Sequence, residues 1–157
     1  MRNLAVAAVL ALAACASVPP ATPGPDWRIY KASGPYTVRI PPNLTQVAMT
    51  PIDSAVDHLT SDGLRLNFDY GPYGCGVMGR QPGDVHHVTT ALIDGRRAEI
   101  DRYTTTPNDI GEFSGRLYAQ VPGFASECLA VNAMCRTPHD CDMAETIVRS
   151  VDFDPQG

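Results

Sequence analysis

Two Asp-Gly dipeptides constrain this chain more than any other feature. Asp94-Gly95 separates residues 85–93 from residues 96–103, and Asp62-Gly63 stands just before residues 64–70. A two-residue type I′ turn needs positive φ at both central positions, which Asp and Gly accept. Each dipeptide therefore marks the turn of a hairpin. The run after Gly63 shows the matching period: Leu64, Leu66, Phe68 and Tyr70 on one face, Arg65, Asn67 and Asp69 on the other. Residues 54–60 supply its partner strand.

Other stretches follow the same logic. Residues 36–40 alternate between Gly34-Pro35 and Pro41-Pro42, and residues 27–30 form a short earlier strand. Residues 117–121 and 128–135 make a third hairpin across Pro122-Gly123-Phe124-Ala125-Ser126. Residues 43–50 have no clear period and are read as one turn of helix. Residues 71–84 and 104–115 are loops. The period then changes. Thr137-Pro138-His139-Asp140 has a capping residue, Pro at the first helical position and an acid at the third. Cys141, Ala144, Ile147, Val148 and Val151 follow on one helical face. The expected fold is α+β: one domain over residues 26–157, with a mostly antiparallel sheet of five to seven strands packed by a helix over 138–150.

The amino end is of another kind. Arg2 precedes an uncharged apolar run over residues 4–14. It is shorter than the roughly 20 residues needed to cross a bilayer as a helix, and has the dimensions of a secretory signal. It ends in Leu12-Ala13-Ala14-Cys15, which resembles the lipobox of bacterial lipoproteins. The resemblance implies diacylglyceryl transfer to the Cys15 thiol, removal of residues 1–14 and acylation of the new amino terminus. Several chains on one residue anchor far more firmly than one. Ala16 after the cysteine, rather than Asp, matches the sorting pattern for the outer membrane, with the domain facing the periplasm. The alternative is an ordinary secretory signal with Cys15 incidental. Residues 15–25 hold four prolines and read as an extended tether of roughly 30 Å. The remaining domain, on the pattern of Ile52-Asp53-Ser54 and Leu66-Asn67-Phe68-Asp69-Tyr70-Gly71, resembles uncharacterised envelope lipoproteins and, weakly, the PsbP-like sandwich. Neither resemblance brings catalytic residues with it.

Cys75, Cys128, Cys135 and Cys141 remain, and in an exported protein an even set reads as disulfides, here with three possible pairings. The end of a strand and the first turn of the following helix lie close together, which favours Cys135–Cys141 and leaves Cys75–Cys128. A zinc site of Cys128, Cys135, His139 and Cys141 is the competing reading, but its spacing is wider than structural zinc sites use.

Candidate chemistry is sparse. Gly74-Cys75-Gly76-Val77-Met78-Gly79 matches G-x-G-x-x-G, yet Arg80-Gln81-Pro82-Gly83-Asp84 cannot open the helix a nucleotide fold requires. Gly74, Gly76 and Gly79, with His86 and His87, instead make the expected ligand or partner loop. His86 and His87 are adjacent on a strand, so they point to opposite faces, one half-buried and one exposed. Cys75 with either histidine would be a nucleophile pair only if reduced. Ser114 lacks an evident base. Asp57, Asp69 and Asp101 are among scattered acids, and Asp69 and Asp101 are expected on solvated strand faces. Seventeen acidic residues against twelve basic ones give a net charge of −5 and no basic stripe, which disfavours nucleic acid as a partner. The expectation is a membrane-anchored, non-catalytic envelope lipoprotein that acts by binding an envelope protein partner, without cofactor or metal. The alternatives are a periplasmic module binding a small molecule or metal, and an inhibitor of a lytic enzyme.

Overall fold

The structure is a computed structural model that describes residues 22–50, 53–76, 85–104 and 113–153. Nine strands and one helix follow in order: β1 Arg28–Lys31, β2 Thr37–Ile40, β3 Thr45–Val47, β4 Ala55–Thr60, β5 Leu64–Gly71, β6 Val85–Ile93, β7 Arg96–Thr104, β8 Gly115–Pro122, β9 Cys128–Cys135 and α1 Pro138–Arg149. The α+β reading holds. The strands divide into a seven-stranded sheet in the order β3-β4-β5-β9-β8-β7-β6 and a separate hairpin, β1-β2, and every strand pairing is antiparallel.

Hairpins form at both Asp-Gly dipeptides, but Asp62-Gly63 turns without the positive φ values expected of it. Asp94 and Gly95 have φ of 48° and 70°, the pair that a type I′ turn needs, and they join β6 to β7 in full register from Ile93↔Arg96 to Val85↔Thr104. The strand count exceeds the five to seven expected, because β1 and β2 form a hairpin apart from the seven-stranded sheet. Residues 43–50 also depart from expectation. No helical turn forms there; Thr45–Val47 is an edge strand on β4. All three of its side chains are exposed, so no alternation of burial could betray it.

One face of the seven-stranded sheet forms the core. Leu64, Leu66, Phe68 and Tyr70 of β5 point into it, as do Leu117, Ala119 and Val121 of β8 and Ile100 of β7. Each such aliphatic or aromatic side chain contributes about 1.5–3 kcal/mol through the water it leaves. Two elements cover this face. Helix α1 buries Cys141, Ala144, Ile147 and Val148. The β1-β2 hairpin brings Tyr36, whose ring lies 6.3 Å from Phe68, 6.0 Å from Tyr70 and 5.9 Å from Phe153 between centroids.

Local bonds hold these covers in place. At the start of α1 the Thr137 hydroxyl accepts from the Asp140 N–H, and the Asp140 carboxylate accepts from the Thr137 N–H, a reciprocal capping box. At its end Ser150 Oγ accepts from the Arg39 N–H, and Thr37 bridges Asp152 in antiparallel fashion. On β4, Asp57 is buried and accepts three hydrogen bonds at 2.8 Å, from Tyr30 Oη, Ser33 N and Ser33 Oγ. That carboxylate ties the β1-β2 hairpin to the sheet. Its burial departs from the expectation of a scattered surface acid: three donors replace the water it gives up.

Candidate functional site

The other face of the sheet is covered by neither the helix nor the β1-β2 hairpin, and its side chains form ordered rows. The strand registers place His58, Asn67, Asn132, Tyr118, Asp101 and Val88 on one line running across six strands. A neighbouring line holds Arg65, Met134, Arg116, Tyr103 and His86. A third holds Asp69, Ala130, Gln120, Glu99 and Thr90. Polar and aromatic groups dominate all three, as on the solvated side of a one-sided antiparallel sheet.

At the β6 end of these rows lies a histidine–carboxylate pair. His86 Nδ1 is 2.8 Å from Asp101 Oδ2, with His86 at 15% exposure and Asp101 at 1%. A carboxylate can only accept, so Nδ1 carries the proton. The imidazole also stacks on Tyr103, with centroids 4.8 Å apart and planes inclined by 22°. The ring is therefore fixed in tautomer and orientation, as the orienting carboxylate does for functional histidines in general. The solvated face expected for Asp101 is wrong in one respect: the residue does sit on the open face, but it is buried there.

The glycine-rich loop lies over the same face. Tyr118 Oη lies 3.5 Å from the Gly74 carbonyl, and Gln120 Nε2 donates to the Gly76 carbonyl. The Cys75–Cys128 disulfide fixes the loop to the start of β9. Gly74 has a specific reason to be glycine, since a Cβ there would collide with the Cys128 carbonyl. Gly79 lies outside the described residues. The expected loop residues thus separate into two groups. Gly74, Gly76 and His86 share the open face, connected through Tyr118 and Asp101, which pair directly across β8 and β7. His87 is exposed and points to the opposite face, opposite Arg102, so one half-buried and one exposed histidine do occur.

His87 borders a cleft instead. Val85, His87, Arg102, Tyr103, Ser114, Gly115, Arg116, Pro138 and Cys141 enclose a volume of about 400 Å³. Arg102 is already engaged: its Nη1 is 2.6 Å from Asp142 Oδ1 and 3.5 Å from Glu145 Oε2. Ser114 Oγ donates to the Arg136 carbonyl.

The second disulfide, Cys135–Cys141, spans the last residue of β9 and the first turns of α1, with Cα atoms 5.3 Å apart. Both favoured pairings are therefore present. Their presence removes two alternatives. Cys75 has no thiol to offer either histidine, and the cysteines that a zinc ion would need at 128, 135 and 141 are oxidised. Among the described residues, no group of three or more His, Cys, Asp or Glu side chains is placed to hold a metal ion. Cys15 and the lipobox lie outside the described residues. Asp101, Tyr103, Arg116 and Tyr118 carry no site motif in the sequence, although the Asp94-Gly95 turn alone sets the register that puts Tyr103 opposite His86.

No protein-family model matches the chain, and no curated protein matches it at a significant level.

Proposed function

We propose that this chain is a lipid-anchored lipoprotein of the bacterial envelope whose domain acts by binding rather than by catalysis. One observation carries the reading. Cysteines 75, 128, 135 and 141 form two disulfides, which leaves the fifth cysteine, Cys15, without a partner inside the chain. Structural disulfides persist in oxidising compartments. An unpaired thiol in Leu12-Ala13-Ala14-Cys15 is the one that lipid attachment would consume. Its anchor would sit in the outer membrane, and the proline-rich segment would hold the domain off the bilayer on its periplasmic side.

The open sheet face is the natural contact surface of such a domain. It presents rows of amide, carboxylate, guanidinium and phenol groups on a rigid antiparallel frame. A small-molecule site is the second reading, and the cleft beside His87 and Arg116 favours it: about 400 Å³ falls within the range of ligand pockets.

Labelled palmitate fed to cells tests the anchor. The wild-type protein is expected to take up label and to fractionate with the outer membrane, whereas Cys15→Ala takes up none. Equal labelling of the two forms defeats the reading. Crosslinking in intact envelopes, comparing wild type with Asn132→Arg on the open face, tests the contact surface. A specific adduct lost in the variant supports it, and the absence of any adduct counts against it.

A further inference from the structure

We propose that the cleft bordered by His87 and Arg116 binds a small carboxylate with an apolar body. The inference rests on the second reading above, that this cleft holds a small molecule, and gives that molecule its charge and shape. It starts from one guanidinium. The Nε of Arg116 is buried and has no hydrogen-bond partner. Buried donors are rarely left so, because the lost hydration goes unrepaid. The other enclosed arginines are accounted for. Arg102 pairs with Asp142 and Glu145, and Arg149 with Glu145. Arg65 lies 4.7 Å over the Phe113 ring. Arg96 shares the unpartnered Nε, but its guanidinium lies over the Phe124 and Phe153 rings and donates to the Gly123 carbonyl. Among the described residues, Arg116 has no ion pair, no acceptor and no ring beneath it. Its cross-strand neighbours are Tyr103 on β7 and Met134 on β9, neither of them acidic.

The cleft supplies what such a ligand needs. It lies at the end of the sheet where Val85, Thr104 and Gly115 pair across β6, β7 and β8. None of the residues lining its volume of about 400 Å³ is Asp or Glu. Arg102 also borders it, but Asp142 and Glu145 already balance that charge. Arg116 is therefore the uncompensated cation of the lining, and one positive charge matches one anionic group. A guanidinium presents Nε–H and Nη–H side by side, the fork that a carboxylate accepts with both oxygens.

The rest of the wall suits hydrocarbon. Val85, Pro138 and Cys141 line it, and Cys141 is held by its disulfide to Cys135. Gly115 lets β8 come close to that sulfur, since a Cβ there would stand 3.1 Å from Cys141 Sγ. A carboxylate seated on Arg116 thus lays its apolar part against Val85, Pro138 and the disulfide. A bare inorganic anion would leave this wall uncovered, and a neutral molecule would leave the guanidinium unanswered.

Calorimetric titration of the full chain in lipid nanodiscs, with empty nanodiscs as the blank, tests this. The probes are octanoate and naphthoate, each against its primary amide, a neutral molecule of the same shape. Each carboxylate is expected to bind about tenfold or more tightly than its amide. Arg116→Gln should bring the carboxylates down to the affinity of the amides. Arg116→Lys should recover only part of the difference, because an ammonium lacks the fork. A second measurement needs no variant: the Nε–H resonance of Arg116 should move on adding either carboxylate and stay in place on adding either amide. Equal binding of acid and amide overturns the proposal while leaving the cleft a small-molecule site. Binding of neither overturns the proposal and the small-molecule reading together. A carboxylate affinity that survives in Arg116→Gln, or an Nε–H resonance that does not move, puts the anion elsewhere and overturns the proposal.

Discussion

The phenol of Tyr30 donates a 2.8 Å hydrogen bond to the buried carboxylate of Asp57, while the more deeply buried hydroxyl of Tyr36 has no partner in hydrogen-bonding geometry among the described residues. Two tyrosines of one hairpin thus stand in opposite energetic positions. A satisfied buried hydroxyl stabilises by about 0.5–1.5 kcal/mol, and an unsatisfied one costs about 1–3 kcal/mol. Tyr30→Phe is expected to lower stability by about 1 kcal/mol or more, because it also strips a donor from Asp57. Tyr36→Phe is expected to leave stability unchanged or raise it by about 1 kcal/mol. Urea midpoints of the two variants against wild type check this, and equal losses would contradict it.

The same residues make the fold sensitive to alkali. Burial, and then the Asp57 carboxylate, push the Tyr30 and Tyr36 phenols well above the usual tyrosine value, and burial raises Tyr70 as well. In the unfolded chain these groups ionise near pH 10. The folded state resists ionisation, so their contribution is fully present below pH 10. It falls as pH rises beyond that point, by up to about 1.4 kcal/mol per pH unit for each tyrosine. Urea midpoints at pH 8, 10 and 11 should show a small loss over the first interval, about 0.4 kcal/mol for each of these tyrosines, and a steeper loss over the second. Tyr36→Phe should make the second interval shallower.

The two disulfides should differ in worth. Cys75–Cys128 closes a separation of 53 residues and Cys135–Cys141 one of 6. Loop-closure entropy assigns them about 4 and about 2 kcal/mol respectively. Replacing Cys75 and Cys128 together by Ala is therefore expected to cost more than replacing Cys135 and Cys141. Denaturant titration of the two double variants reads the difference, and the reverse order would show that the short bridge acts through the folded state.

Between β8 and β9 the chain stores strain. Ala125 and Ser126 adopt φ of 47° and 72°, a region that L residues occupy at a cost of roughly 1–2 kcal/mol. Ala125→Gly and Ser126→Gly should each raise the melting temperature, corresponding to about 0.5–1 kcal/mol. A loss of stability in both would mean that the turn has another requirement.

Much of this architecture is legible in the sequence because it is local. The Asp-Gly turns, the alternating run from Leu64 to Tyr70 and the Thr137-Pro138 helix start each specify structure within a few residues. β3 is not legible: its side chains are all exposed, and only pairing with β4 makes it a strand. β9 carries a signal that is easy to underuse. Cys128, Leu129, Ala130 and Val131 are buried in succession, so both faces of the strand are covered, as befits the middle of a sheet. The site is harder to read. The period of β7 correctly sends Asp101 to the face opposite Ile100, but period says nothing of what lies above that face. The His86–Asp101 contact and the fold of the glycine-rich loop onto Tyr118 and Gln120 depend on long-range packing. The two cysteine pairings were readable because one bridge spans so few residues that it determines the other.

The position of β9 has a consequence for how this protein comes into being. It is the last strand to be made, yet it lies between β5 and β8, bonded along its full length to both. Whatever leaves a ribosome or an export channel first can form the β4-β5 and β6-β7-β8 hairpins only as separate pieces, each with a raw inner edge. They become one sheet when residues 128–135 arrive and slide between them. A chain halted anywhere before that point is left as two unsealed halves, so the sheet closes only once residues 128–135 have been released.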